Sequence, residues 1–204
     1  CPMRAPFPTR RTFLAGLSAG AALAAGHRVR AQSTDKKGSA PRKLGIALVG
    51  LGGYSHTQLG PALKHTQHCR LMGVVTGSRE KGLKWAQEFG FPGKNIYHYD
   101  TMARLADNKD IDIAYIVTPN ALHPQHAIAA AWAGKHVISE KPMANNVADC
   151  NAMIAACRVA GVKLSVGYRL HFEPHHQELM RLARTKDFGP FLKMSGGLAL
   201  SLIH

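Results

Sequence analysis

From residue 44 onward, short apolar runs alternate with segments of helical periodicity. Leu44-Gly45-Ile46-Ala47-Leu48-Val49 is continuously apolar, as a strand covered on both faces must be. A helix is expected over His56 to His65, with Pro61 limiting its first half. Leu71 to Thr76 reads as a second strand and Arg79 to Phe89 as a second helix. Asn95-Ile96-Tyr97 is a short third strand, followed by a short helix over Thr101 to Ala106. Ile113 to Val117 is a fourth strand, and Pro124 to Ala133 a helix stopped by Gly134. His136 to Ser139 is a fifth strand, Val147 to Val159 a helix before Gly161, and Leu164 to Tyr168 a sixth strand. Strands and helices alternating at this spacing give parallel strands joined by right-handed crossovers. The expected fold is α/β, a doubly wound parallel sheet of Rossmann type over residues 44–168.

The pattern changes on both sides of that block. Glu173 to Thr185 reads as a linker helix, and Gly189-Pro190 turns into a strand at Phe191 to Ser195. Residues 169–204 therefore read as the start of an α+β second domain that the chain does not complete. At the other end, Thr9-Arg10-Arg11-Thr12-Phe13-Leu14 is a twin-arginine pattern. An Ala/Gly-rich apolar run to Gly26 follows it, with small residues near Ala31. Residues 1–31 are expected to be an export signal, which places the protein in the periplasm. The apolar run is far short of the ~20 residues of a membrane span. Residues 32–43 form a polar arm.

Charge changes little once the leader is set aside. Of the formal +14, five charges are leader arginines, and Lys36, Lys37, Arg42 and Lys43 sit in the arm. The remaining basic residues show no stripe interleaved with aromatics, so no nucleic acid is expected. Cys1 lies in the leader. Cys150 and Cys157 are seven apart on one helix, roughly 10 Å at 1.5 Å per residue, too far for a disulfide. Cys69, Cys150 and Cys157 are expected as buried, unpaired thiols. His123 and His126 have i, i+3 spacing but no Cys or carboxylate partners at ligand spacing, so no metal is expected. Trp85 and Trp132 are expected to pack in the core.

Three segments carry candidate chemistry. Gly50-Leu51-Gly52-Gly53-Tyr54-Ser55 follows the first strand and opens a helix. A dinucleotide fingerprint needs a tight turn, a close backbone approach to pyrophosphate, and a small residue where helix meets strand. Gly50, Gly52 and Ser55 supply these, and helix N-terminal amides suit phosphates. At the end of the second strand, Val75-Thr76-Gly77-Ser78-Arg79 lacks the carboxylate that bonds the ribose in NAD proteins. Thr76 and Ser78 offer hydroxyls, and Arg79 or Lys81 charge, which favours NADP. Glu140-Lys141-Pro142 lies at the carboxyl end of the fifth strand, where ligands of open parallel sheets bind. A lysine beside a cationic nicotinamide has its ammonium form disfavoured, which suits proton exchange with a substrate hydroxyl.

Glu140-Lys141-Pro142, with Thr118-Pro119-Asn120-Ala121-Leu122-His123 upstream and Gly167-Tyr168-Arg169 downstream, resembles the glucose–fructose oxidoreductase, inositol dehydrogenase and rhizopine-catabolism family. The likeness runs from Leu44 to about Leu192 and is strongest to its periplasmic glucose–fructose oxidoreductase type. It implies that Gly50, Gly52, Gly53, Tyr54 and Ser55 line the pyrophosphate, and that Gly77, Ser78 and Lys81 meet the adenosine phosphate. Pro119, Asn120 and His123 would border the ribose and nicotinamide, Glu140 would hold the ribose, and Lys141 would sit by the reacting carbon and the substrate hydroxyl. Arg169 would approach the nicotinamide and Tyr168 the substrate. In such proteins the remaining sugar contacts and the acid/base group come from the second domain, which is missing here.

The resemblance implies an NADP-dependent oxidoreductase moving hydride between a sugar or polyol carbinol and tightly held nicotinamide. Twin-arginine transport carries folded proteins, so the cofactor would be loaded before export and reoxidised in place by a second sugar. A homo-oligomer is expected for the full-length protein, with no membrane association after export. Two alternatives stay open: a member that cleaves or epimerises glycosides through transient oxidation, and a truncated nucleotide-binding module without activity.

Overall fold

The computed structural model describes residues 42–187 and 189–190. The expected leader, most of the expected arm and the strand expected at Phe191 to Ser195 lie outside the described residues.

Six strands form one parallel sheet: β1 (Leu44–Val49), β2 (Cys69–Val75), β3 (Ile96–Tyr97), β4 (Ile113–Ile116), β5 (His136–Ser139) and β6 (Leu164–Val166). Their order across the sheet is β3-β2-β1-β4-β5-β6. The chain works outward from β1 to one edge, then returns to β4 and works outward to the other. The strand order thus reverses between β1 and β4, which leaves a crevice at their carboxyl ends.

β1 lies inside the sheet, between β2 and β4. Ile46 and Leu48 point to one face, Ala47 and Val49 to the other, and all four are nearly or fully buried. This is the two-residue period of a strand with both faces covered. On the Ile46/Leu48 face pack α1 (Gly60–His65) and α2 (Arg79–Phe89), with Trp85, Ala86 and Phe91 filling the layer. On the other face lie a 3-10 segment (Tyr99–Asp107), α3 (His123–Trp132) and α4 (Val147–Val159). Ala127, Ala130 and Ala131 keep α3 close to the sheet, while Met102, Leu105 and Met153 fill the larger spaces. Each large side chain so buried contributes roughly 1.5–3 kcal/mol.

Local chemistry sets the helix ends. Ser78 caps α2 by accepting from the Lys81 amide, and Gly90 ends it in left-handed conformation. Asn146 caps α4 by accepting from the Asp149 amide. Glu173 caps α5 (Pro174–Thr185) by accepting from the His176 amide.

Several sequence expectations need correction. The helix expected at His56 begins as a π-helical turn, Ser55–Leu59, before Pro61 starts the α-helical part. The helix expected over Thr101 to Ala106 is a 3-10 segment with a kink at Thr101. The sixth strand stops at Val166, because Gly167 and Tyr168 turn into a 3-10 segment over Arg169–Phe172. Of the three cysteines expected buried and unpaired, all are free but only Cys157 is buried. Trp132 is 61% exposed rather than packed, since it occupies the outer face at the last turn of α3.

Candidate active site

The crevice between β1 and β4 opens as a cleft of about 330 Å³, lined by Gly50, Leu51, Gly52, Thr76, Gly77, Ser78, Lys81, Tyr99, Val117, Thr118 and Pro119. Its residues come from the ends of β1, β2 and β4 and from the 3-10 segment. Gly50 turns the chain with φ +100°, and a side chain there would meet Thr118 Cγ2 and the Val117 carbonyl oxygen at 3.0 Å. Glycine is required on both counts. Gly52 and Gly53 differ, because a Cβ added to either meets nothing within 4 Å. Their missing side chains leave open space above the turn where the helix begins. The first amides of a helix have no carbonyl four residues back, so they remain available to an anion. Ser55 does not line this space. It is fully buried, and its hydroxyl donates to the Gly50 carbonyl at 2.7 Å, locking the turn from beneath.

The rim after β2 is polar and free of carboxylates. Thr76 Oγ1 accepts from the Ser78 amide at 3.2 Å, and Ser78 Oγ accepts from the Lys81 amide at 3.2 Å. Each hydroxyl keeps its own proton to donate. The Lys81 ammonium reaches back to within 3.5 Å of the Leu51 carbonyl, which sets a positive charge beside the glycine turn. Glu80, the nearest acid in the chain, pairs with Lys84 at 3.0 Å on the exposed side of α2. That pairing holds its carboxyl below the usual range, through the Lys84 hydrogen bond first and its charge second. Tyr99 closes the far wall, 3.7 Å from where a Cβ on Gly77 would lie. Sequence reading passed over Tyr99. Its only signal was an aromatic residue two positions after the third strand.

A second group gathers at the carboxyl ends of β5 and β6. Glu140 is only 8% exposed and holds two hydrogen bonds, accepting from the Tyr115 hydroxyl at 2.7 Å and from the Lys141 amide at 3.2 Å. Gly167 permits this, because a side chain there would press on the Glu140 carboxylate at 3.0 Å. Burial pushes the Tyr115 hydroxyl far up, and the hydrogen bond to Glu140 and that carboxylate's charge push it further. Tyr54 is raised by burial and then by Glu140, with Arg169 partly offsetting. Tyr54, next to the glycine turn, thus lies within reach of the Glu140 and Arg169 charges. Lys141 stands exposed after β5, and Tyr168 and Arg169 are exposed after β6. Tyr115 is a second residue that sequence reading missed, since it sits inside a strand counted as core.

Pro119 and Asn120 are exposed at the end of β4. His123 is not. It is 1% exposed, and both ring nitrogens meet backbone carbonyls, Nδ1 that of Pro142 and Nε2 that of Thr118, each at 2.8 Å. Its influence on the site runs through the two loops it joins. The glycine turn and the residues after β2 and β4 thus share one cleft, whereas Glu140 and Lys141 stand together at the end of β5, outside its lining.

A parallel sheet with this strand order, a glycine turn at its reversal and an open helix start define a dinucleotide-binding domain of Rossmann class. A family model, the oxidoreductase family with an NAD-binding Rossmann fold, matches residues 44–168, and the chain belongs to that family. The chain is 34% identical over 109 residues to 1,5-anhydro-D-fructose reductase of Ensifer adhaerens, covering 53% of this chain and 32% of that one. It is 30% identical over 132 residues to the NADP(+) D-xylose 1-dehydrogenase of Haloarcula marismortui, covering 63% and 36% respectively. Among solved structures it is similar to the aldose–aldose oxidoreductase from Caulobacter crescentus complexed with glycerol. That match has a TM-score of 0.69 and 48% identity, over 71% of this chain and 43% of the other. The chain thus spans about a third of the length of these curated relatives.

Proposed function

We propose that this chain is the nucleotide-binding part of an NADP-dependent sugar oxidoreductase that passes hydride from one sugar to another. The observation that carries this is the cleft rim after β2, where Ser78 and Lys81 offer a hydroxyl and an ammonium and no acid lines the cleft. A ribose 2′-phosphate would find charge-assisted partners there, and nothing to repel it. The residues present fit a dinucleotide along its length. The turn at Gly50 to Gly53 would take the pyrophosphate, Tyr54 and Glu140 the region near the nicotinamide ribose, and Pro119 and Asn120 the opposite wall. When bound, a nicotinamide would supply the hydride acceptor for the carbinol of one sugar and, once reduced, the hydride donor for the carbonyl of a second.

The protein's own part is to orient and to move protons. The Lys141 side chain would hold the carbinol hydroxyl and pass its proton to the acid/base group of the second domain as one sugar is oxidised, and the proton would return by the same route as the other is reduced. Tyr168 would steer the sugar, and Arg169 would screen the Glu140 carboxylate. Support for a two-sugar cycle comes from the aldose–aldose oxidoreductase, whose name describes such a pair and whose sequence is 48% identical over the shared region. The Arg10-Arg11 leader supports a periplasmic site of action, where no free nicotinamide pool replenishes the cofactor. Exchanging both arginines for lysine should then hold the protein in the cytoplasm.

Two measurements test the reading. NADPH should bind at least about tenfold more tightly than NADH, a difference of roughly 1.4 kcal/mol. Equal affinities would remove the assignment to NADP. Protein carrying its second domain should convert one aldose to a lactone while reducing another sugar, with no nucleotide added. Unchanged net redox state of the sugars would point instead to glycoside cleavage or epimerisation.

A further inference from the structure

A carbonyl oxygen only accepts hydrogen bonds, and a neutral imidazole has one N–H and one lone pair. His123 places both ring nitrogens 2.8 Å from carbonyl oxygens, those of Pro142 and Thr118. In either neutral tautomer one ring lone pair would face a carbonyl lone pair at hydrogen-bond distance. Only a ring carrying both protons satisfies the two contacts. The geometry points to His123 as a buried imidazolium that ties the end of β4 to the turn after β5 and so positions Lys141.

The neighbouring histidine is bonded differently. His126, one turn along α3, has Nδ1 3.0 Å from the Thr118 hydroxyl and its ring stacked 5.0 Å from Tyr99. Burial holds the protonated form of His126 down, and the charge on His123 adds to that effect. The two rings, three residues apart on one helix, thus meet different partners: two backbone carbonyls for His123, a hydroxyl and an aromatic ring for His126. On the other side lie Glu140 and Lys141, whose turn is fixed at one end by Tyr115 and at the other by His123. Pro142 has no amide proton of its own, so its carbonyl is the backbone handle left for holding that residue. Two charge-assisted bonds from one ring make a stiffer tie than two neutral ones. The positioning role rests on the assignment of Lys141 to proton transfer, whereas the charge on His123 does not.

A proton–nitrogen correlation spectrum of the histidine-labelled chain at neutral pH, without nucleotide, tests the charge. Both His123 ring nitrogens should appear protonated, with N–H protons that persist against solvent. One unprotonated nitrogen would overturn the proposal. In an unsubstituted sample that also carries carbon-13 at its proline carbonyls, a coupling through the hydrogen bond from the ring N–H to the Pro142 carbonyl carbon should be seen, and its absence would remove the tie. His123→Phe keeps the ring's size without donors, and His123→Asn keeps an amide donor. Acylation of Lys141 relative to Lys84 should change by about threefold or more in the Phe variant, an effect of at least roughly 0.65 kcal/mol, and less in the Asn variant. An unchanged ratio in a folded Phe variant would refute the positioning role. Two protonated nitrogens in a chain that binds no nucleotide would sink the cofactor reading and leave the tie intact.

Discussion

A buried carboxylate must be paid for by its neighbours, and Glu140 shows how this chain does so. Its two oxygens take one side-chain and one backbone donor, from Tyr115 and Lys141. Removing one donor from a buried acceptor costs about 1–3 kcal/mol. Tyr115→Phe should therefore lower stability by that amount in chemical denaturation and weaken nucleotide binding several-fold, because Glu140 would turn towards solvent or another partner. A Phe variant with unchanged binding would show that Glu140 needs no such support. His126 allows a pH prediction. Its folded value lies below the ordinary 6.5, from burial first and the His123 charge second. Below that ordinary value the unfolded chain takes up a proton that the folded one resists, so stability should fall as pH drops from about 6.5 towards the folded value and then level off. His126→Asn should flatten this part of the stability–pH curve. An identical slope in the variant would assign the acid loss elsewhere.

At the scale of elements, the glycines separate folding from binding. A side chain at Gly45 would lie 1.7 Å from the Asp110 carbonyl, so Gly45→Ala should disrupt the start of β1 and unfold the chain at mild denaturant. Gly52→Ala should do neither, since a Cβ there meets open space. It should instead fill the space above the turn and weaken NADPH binding by at least about tenfold, or roughly 1.4 kcal/mol, while leaving the unfolding midpoint in place. Equal loss of stability in both variants would mean that the turn is structural only. The contrast also shows what the sequence made legible. The strand–helix alternation, the glycine turn and the Ser78 cap depend on neighbours in the chain, and they are read locally. Ser55 looked like a phosphate-side residue because its position in the motif says nothing of its rotamer, which burial turns inward. Tyr115 and Tyr99 were not read at all, because the contacts that matter, with Glu140 and the Gly77 rim, span 25 and 22 positions of sequence. His123 was read as facing the cofactor for a related reason. Its two carbonyl partners lie five and nineteen residues away, on loops whose approach is a property of the sheet order.

For the molecule as a whole, the cleft sits where the two halves of the sheet meet, and a bound dinucleotide would touch the ends of β1, β2 and β4 together. Those strands carry the central core residues Leu48, Val49, Val74, Val75 and Ile116. A ligand holding their ends together is linked to global unfolding rather than to a local opening. At a hundred times its dissociation constant, such a ligand stabilises by about 2.7 kcal/mol. In a chain of this size that corresponds to a rise in Tm of about 5–10 °C. NADPH should raise the midpoint by more than NADH at equal concentration, because only the former carries the phosphate that Ser78 and Lys81 would hold. Lys81→Glu places a negative charge on that rim and should reverse the order of the two nucleotides, with little effect on the unliganded midpoint, since Lys81 is exposed. If NADPH still raises the midpoint more than NADH in the Lys81→Glu chain, the phosphate is held somewhere other than the rim after β2.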